Sequence, residues 1–490
     1  MAGHTLGAQL ISYPDSMGGT LRSLTDLLAT EMDGWFPGGV HVLPPFPSSA
    51  DRGYAPLRYD RIEPRFGSWP DLEALARQVP VTLDLMVNHI SRHSPEFRDF
   101  EQRGRESPHA ELFLRPDKVW PDGEVPDEDL RLLFLRKPDH PFLEVEIADT
   151  GETDLVWATF GSSADVSEQI DLDWSSPLTQ ATYDEWFATL AGAGVAEVRL
   201  DAVGYLVKRA GTSCFMVEPD IWDVLDRLTA RAGRHSLDVL PEVHAAPEVV
   251  RGLDEHGHTT YDFVLPGLML EALRSSHPGR LVAHLSMLPA SRVTMLDCHD
   301  GIPIQPDLVG VVHETDLVEL TDHLVARGAN VNRILGAAER GIEFDAHQVN
   351  ISYLDAAGGA DGLAVARAVQ LFGPGRPQVY YQGLLGGGND HGAVAATGEG
   401  RAINRTDYSI EEALAALASD VAQRQGRLLE IRSGHPAFGA ERPAVAQSDE
   451  SGLSIRWEHH AAWCQLDVDL AAVTATVSMS PAPGLTDGPV

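Results

Sequence analysis

The stretch AEVRLDAVGY, residues 196–205, reads as a buried strand that ends by presenting Arg199 and Asp201 where its apolar run stops. Three other β-branched or Leu-rich runs stop the same way. VTLDLMVNH (81–89) closes on Asn88 and His89, LDVLPEVH (237–244) on Glu242 and His244, and SRVTMLDCHD (291–300) on His299 and Asp300. In a barrel of parallel strands all C-terminal ends meet on one face, where such folds keep their sites. Four polar strand ends therefore describe one polar floor.

Between these runs lie Ala-rich amphipathic segments such as DLEALARQV and EPDIWDVLDRLTARAG. Apolar runs alternating with amphipathic segments are the signature of βα units around a parallel sheet. The expected fold is an α/β (β/α)8 TIM barrel made of residues 1–90, 171–301 and 346–435. Residues 91–170 break the rhythm and are expected to be an inserted domain after strand 3. A second insertion, 302–345, follows the seventh strand, and both should wall the pocket because loops at that end of a barrel overlie its active face. From 436 to 490 the text alternates in strand fashion, which predicts a small C-terminal antiparallel β domain.

The 490 residues, 43% of them hydrophobic, suffice for a large core. A formal charge of −35 repels phosphate backbones and anionic lipid, so no nucleic-acid or membrane partner is expected. No secretory leader or membrane-spanning stretch is legible. Three cysteines, Cys214, Cys298 and Cys464, have no metal-like spacing and cannot all pair, which suits a reducing cytoplasm. Positive charge is almost all arginine, with only Lys118, Lys137 and Lys208 as lysines.

Asp201, Glu242 and Asp300 each lie beside a group that can set their ionisation: Arg199, His244 and His299. The guanidinium of Arg199 is expected to keep Asp201 charged, and burial beside Val243 to hold Glu242 protonated. One ionised and one protonated carboxyl group is what retaining glycosidic chemistry requires, with the charged group attacking the anomeric carbon while the acid protonates the leaving oxygen. A third carboxylate can stabilise the oxocarbenium-like transition state.

The motifs DLMVNH, RLDAVGY, PEVH and LDCHD, in this order, resemble the four short motifs of the α-amylase superfamily (glycoside hydrolase family 13). Within it, LPPFPSSADRGYAP, YDFVLP, RPQVYYQGLLGGGND and GRAINR resemble the sucrose phosphorylase subfamily. The resemblance implies Asp201 as nucleophile, Glu242 as general acid/base and Asp300 as transition-state stabiliser. His89, Arg199, His299, Asp51 and Arg405 would then contact the glucosyl unit, and Phe160 and Gln169 would lie at the substrate. It also implies a covalent glucosyl-enzyme resolved by inorganic phosphate, with no organic cofactor and no metal. Partners would be a small sugar and phosphate, for a monomer or homodimer.

Subfamily members act on sucrose, sucrose 6(F)-phosphate or glucosylglycerol, and only acceptor loops can separate them. RLLFLRKPDHPF sets Arg136 beside Lys137, a pair suited to a dianion, and GVVHETDL brings His313 into the second insertion. LTDHLVARGANVNRIL, DLVWATFG and EQIDLD resemble the sucrose 6(F)-phosphate enzymes. The segment between Phe160 and Gln169 is longer than the subfamily's. Rival readings are a hydrolase or transglucosidase with the same carboxylates, or a non-catalytic amylase-like binding subunit; the latter should have lost a carboxylate and gained an anchor.

Overall fold

The computed structural model describes residues 7–137, 140–162, 164–334 and 343–490. Eight strands form one parallel sheet: β1 (Gln9–Ser12), β2 (Gly39–Val42), β3 (Val81–Met86), β4 (Glu197–Asp201), β5 (Asp238–Pro241), β6 (Tyr261–Asp262), β7 (Val293–Thr294) and β8 (Arg376–Tyr380). Their order is β6-β7-β8-β1-β2-β3-β4-β5, so the sheet curls into the expected barrel. The seam lies between β5 and β6. There Pro241 has no N–H to donate, and its carbonyl accepts instead from Thr260 Oγ1 at 2.8 Å.

The strands are apolar because both faces are covered, and β1, β2, β3 and β8 are buried along their whole length. Polar side chains inside the barrel are paired with one another. Gln9 donates to Thr82, Thr82 to Glu197, and Arg376 Nη2 meets both Glu197 oxygens at 2.9 Å. Surrounding helices bury one stripe each. In Asp220–Gly233, Ile221, Leu225, Leu228 and Ala232 turn inward at helical spacing.

The first insertion leaves the barrel through an antiparallel neck, His89–Ser91 against Gln169–Asp171. It carries a hairpin, Phe142–Glu146 with Thr153–Trp157, over a separate cluster of Leu114, Trp120, Leu133, Phe142 and Trp157 that Cys214 of the barrel segment completes. The second insertion builds a three-stranded antiparallel sheet of Ile302–Pro303, Asn330–Arg333 and Ala346–Asn350. Its boundary at 345 needs correction, because Ala346–Asn350 is the central strand of that sheet and pairs on both sides. Residues 335–342, within this insertion, lie outside the described residues.

The C-terminal region is a five-stranded antiparallel sheet running from Ala444–Gln447 to Gly488–Pro489. It docks on the helix Ala360–Phe372, where Trp457 Nε1 donates to the Phe372 carbonyl at 2.6 Å. Among the described residues, no helix is long and apolar enough to cross a membrane.

Candidate active site

The register of β3 and β4 sets Asp84 opposite Arg199 and Met86 opposite Asp201. Side chains two apart on a strand share a face, so Arg199 and Asp201 point together into the barrel mouth. Arg199 Nη1 donates to Asp84 and, at 3.0 Å, to Asp201 Oδ1; its Nη2 lies 3.5 Å from Glu242 Oε1. Directly after Asp201, Ala202 adopts a left-handed backbone (φ 58°), unusual for a residue with a Cβ. That turn aims the Ala202 N–H at Glu242 Oε2, 3.3 Å away.

Glu242 also faces His244, whose Nε2 is 3.2 Å from Oε1. On the other side of the site, Asp300 receives Arg401 Nη1 at 2.8 Å, with Arg405 Nη2 at 3.8 Å and His299 Nε2 at 3.6 Å. Asp51 is gripped by Arg405 at 3.0 Å and Arg401 at 3.5 Å. His89 and Gln169 both bond the Tyr54 carbonyl at 3.0 Å, and the Tyr54 ring stacks on His299 with centroids 4.7 Å apart. Phe160 closes the rim, edge-on to Tyr205.

These groups line a hollow of about 100 Å³ that takes in Asp51, His89, Arg136, Phe160, Gln169, Asp201, Glu242, His299 and Asp300. Arg199 and Arg405 stand behind it and orient its carboxylates. Two residues expected at the substrate are elsewhere. Lys137 is buried with its Nζ bonded to Ser167 Oγ at 2.8 Å, whereas Arg136 lines the hollow. His313 is the exposed residue ahead of helix Glu314–Ala326 and lines a separate hollow with Gln305 and Val309. Joint truncation of Lys137 and His313 is accordingly expected to lower turnover of sucrose and sucrose 6(F)-phosphate alike; parallel kinetics on the two sugars check this.

The expected charge states also need correction. Burial pushes the Asp201 carboxyl well above the usual carboxylate range, reinforced by the charges of Glu242, Asp84 and Asp300, and Arg199 only partly offsets this. Burial opposes ionisation of Glu242 too, yet Arg199 and His244 together bring it down to about 2. Adjacency in sequence misled here: Asp84, fully buried, takes a share of the Arg199 charge, and His244 supplies Glu242 with a cation of its own. Asp300 lies far below its ordinary value through Arg401, His299 and Arg405, despite burial. Burial lowers His299 to about 3, so its imidazole is neutral.

Sequence reasoning missed Arg401, although GRAINR displays it four residues before Arg405. It also missed His347, whose Nε2 meets Arg136 Nη1 at 2.7 Å. Cys298/His299/Asp300 and Glu242/His244/Asp300 bring ligand atoms within 4.8 Å of one another. Neither suits a metal: His244 turns both ring nitrogens to carboxylates, and Asp300 is already engaged by Arg401.

A (β/α)8 barrel with acidic groups at the ends of β4, β5 and β7 and two insertions over its mouth carries the carboxyl groups that glycosidic chemistry requires. The profile of the α-amylase catalytic domain matches residues 38–252. The chain is 44% identical over 96% of both lengths to the sucrose 6(F)-phosphate phosphorylase of Thermoanaerobacterium thermosaccharolyticum, and 38% identical over 96% of both to a glucosylglycerol phosphorylase of Marinobacter adhaerens. A crystal structure of sucrose 6F-phosphate phosphorylase from Thermoanaerobacter thermosaccharolyticum superposes with a TM-score of 0.94 at 42% identity, covering 100% of this chain and 98% of that one. The chain belongs to the α-amylase superfamily, in its sucrose phosphorylase subfamily.

Proposed function

We propose that the chain is a retaining glycoside phosphorylase that converts sucrose 6(F)-phosphate and inorganic phosphate to α-D-glucose 1-phosphate and fructose 6-phosphate. Asp201 attacks the anomeric carbon as Glu242 passes its proton to the leaving fructosyl oxygen. Phosphate then attacks the same carbon from the vacated side, Asp201 departs, and the proton returns to Glu242, so configuration is retained. The pair carries one proton between two buried carboxyl groups. Positive charge developing at the anomeric carbon against Asp201 favours its ionised form and sends that proton to Glu242. Asp300, held ionised by Arg401, faces the same developing charge.

The observation that carries the phosphorylated substrate is Arg136. It lines the catalytic hollow, and its hydrogen-bond and ring partners among the described residues are His347 Nε2 and the face of Phe160, neither of them a carboxylate. The other arginines of the site, Arg199, Arg401 and Arg405, are all neutralised by Asp or Glu. The Gln305 carbonyl can only accept, so His347 Nδ1 carries the proton at 2.6 Å and Nε2 offers its lone pair to Arg136. Burial and Arg136 keep this imidazole neutral. A phosphoryl group fits such an unneutralised guanidinium, whether carried by the sugar or supplied as the inorganic phosphate of the second displacement.

Arg136→Ala is expected to raise KM for phosphate and for sucrose 6(F)-phosphate by about 10–100-fold, the loss of one charge-assisted contact, with KM for sucrose little changed. Steady-state kinetics with each sugar and with varied phosphate measure this. An unchanged phosphate dependence would remove Arg136 from the site. The cysteines Cys214, Cys298 and Cys464 are all unpaired, which supports a cytoplasmic setting. Its partners in this reading are the sugar and phosphate alone, acting on a monomer or homodimer.

A further inference from the structure

Asp307 belongs to the second insertion, outside the barrel, and its side chain is 2% exposed. Its Oδ2 lies 3.4 Å from His244 Nδ1, while His244 Nε2 lies 3.2 Å from Glu242 Oε1. The imidazole is clamped between them by stacking on Phe263, with centroids 3.8 Å apart and planes 19° from parallel. While Glu242 and Asp307 are both ionised, each ring nitrogen faces a carboxylate oxygen that accepts, so both nitrogens carry a proton.

We propose that Asp307 is a positioning residue that keeps His244 doubly protonated and aimed at Glu242, making the acid/base a strong acid and a weak base. This inference rests on the phosphorylase reading. A strong acid serves the first displacement, where the fructosyl oxygen needs a proton. A weak base penalises water more than phosphate in the second. Water must lose a proton as its oxygen bonds to the anomeric carbon. Hydrogen phosphate attacks through an oxygen that is already charged, the ester bond to Asp201 breaks, and the new phosphomonoester then hands its remaining proton to Glu242. Atoms and charge balance without another reactant, and the Asp307–His244 pair acts on the choice between transfer and hydrolysis.

Charged groups come to this pair from several elements, and on its far side Asp307 lines a hollow with Arg251, Asp254, Arg280, His284 and Arg292. Glu242 lies just beyond β5 and Asp300 beyond β7, Arg199 approaches Glu242 from β4, and His347 of the second insertion adds a neutral imidazole backed by Arg136 and Arg401. Burial opposes the charge on His244, yet the acidic members hold it up at about 10, with Asp307 the largest of them; burial raises the Asp307 carboxyl in turn, and the His244 charge opposes that rise.

The test has two readouts on the full-length enzyme. First, the His244 ring signals, assigned by their loss in His244→Gln, are followed by NMR against pH. Wild type should titrate above about pH 8, and Asp307→Asn should bring the midpoint down by about one unit or more. Second, glucose and glucose 1-phosphate are measured together at fixed inorganic phosphate. Asp307→Asn should raise the hydrolysed fraction about tenfold, matching one pKa unit on the base, and Asp307→Glu should restore the wild-type ratio. A wild-type midpoint below about pH 7, which needs no variant, would overturn the inference, as would Asp307→Asn losing rate with an unchanged product ratio. Absence of glucose 1-phosphate from wild type would instead remove the phosphorylase reading, and the titration would still decide the role of Asp307.

Discussion

Asp201→Ala is expected to lose at least about 10⁴-fold in kcat while the protein keeps its fold. The loss follows from chemistry: without the carboxylate no glucosyl-enzyme forms, and Arg199, Asp300 and Glu242 are left around a site with no nucleophile. Retention of the fold follows from position. Asp201 ends β4 at the barrel mouth, and the ladder to β3 and β5 uses backbone that alanine supplies equally well. The stability change has a definite sign. Asp201 binds its proton more tightly folded than unfolded, so its ionised form costs stability once the pH is above the unfolded value, and its removal relieves that cost at neutral pH. Thermal melting at pH 7 should give an equal or higher Tm. Turnover within tenfold of wild type would eliminate Asp201 as nucleophile.

Glu242→Gln separates the acid role from the rest of the site. On sucrose 6(F)-phosphate, whose fructosyl oxygen must be protonated as it leaves, the expected loss is about 10²–10⁴-fold. On α-D-glucosyl fluoride, whose leaving group needs far less protonation, the first displacement should survive with a much smaller loss. Rapid-quench measurement of the first turnover on both substrates reads the difference. Equal losses would mean that the substitution disturbs substrate binding or Asp201, and Glu242 would lose its assignment as acid. The variant retains the shape of the side chain, yet it also leaves the His244 imidazolium facing a neutral partner. A pH profile of the residual activity should therefore show the His244 titration at a lower pH than in wild type, since one of its two carboxylates is gone.

Much of this site was legible because catalytic groups in a parallel barrel sit where apolar strands stop. VTLDLMVNH, AEVRLDAVGY, LDVLPEVH and SRVTMLDCHD announced Asp201, Glu242 and Asp300 with their neighbours, even though β6 and β7 ladder over only two residues each. The partners that set charge came from loops far away in the chain. Arg401, His347 and Asp307 reach the site from a 3₁₀ turn and from the second insertion, whose position over the barrel mouth is not written in its local sequence. Lys137 illustrates the same limit. Its place beside Arg136 was plain, but only the course of the chain shows its ammonium on Ser167. Protonation was least accessible, since Glu242 answers to Arg199 and His244 at once and Asp201 to three other carboxylates. The expectation that the barrel resumes at 346 fails at Ala346–Asn350, because pairing partners are not written in the text; its ladders with Ile302–Pro303 and Asn330–Arg333 place it in the second insertion.

The measurement that bears most directly on the central claim is release of glucose 1-phosphate in phosphate buffer from equal concentrations of sucrose and sucrose 6(F)-phosphate, with glucose followed alongside. The account predicts glucose 1-phosphate as the main product and a clear preference for the phosphorylated sugar, carried by Arg136. Equal or better use of sucrose would contradict the phosphorylated acceptor, and glucose in place of glucose 1-phosphate from both sugars would contradict phosphorolysis itself.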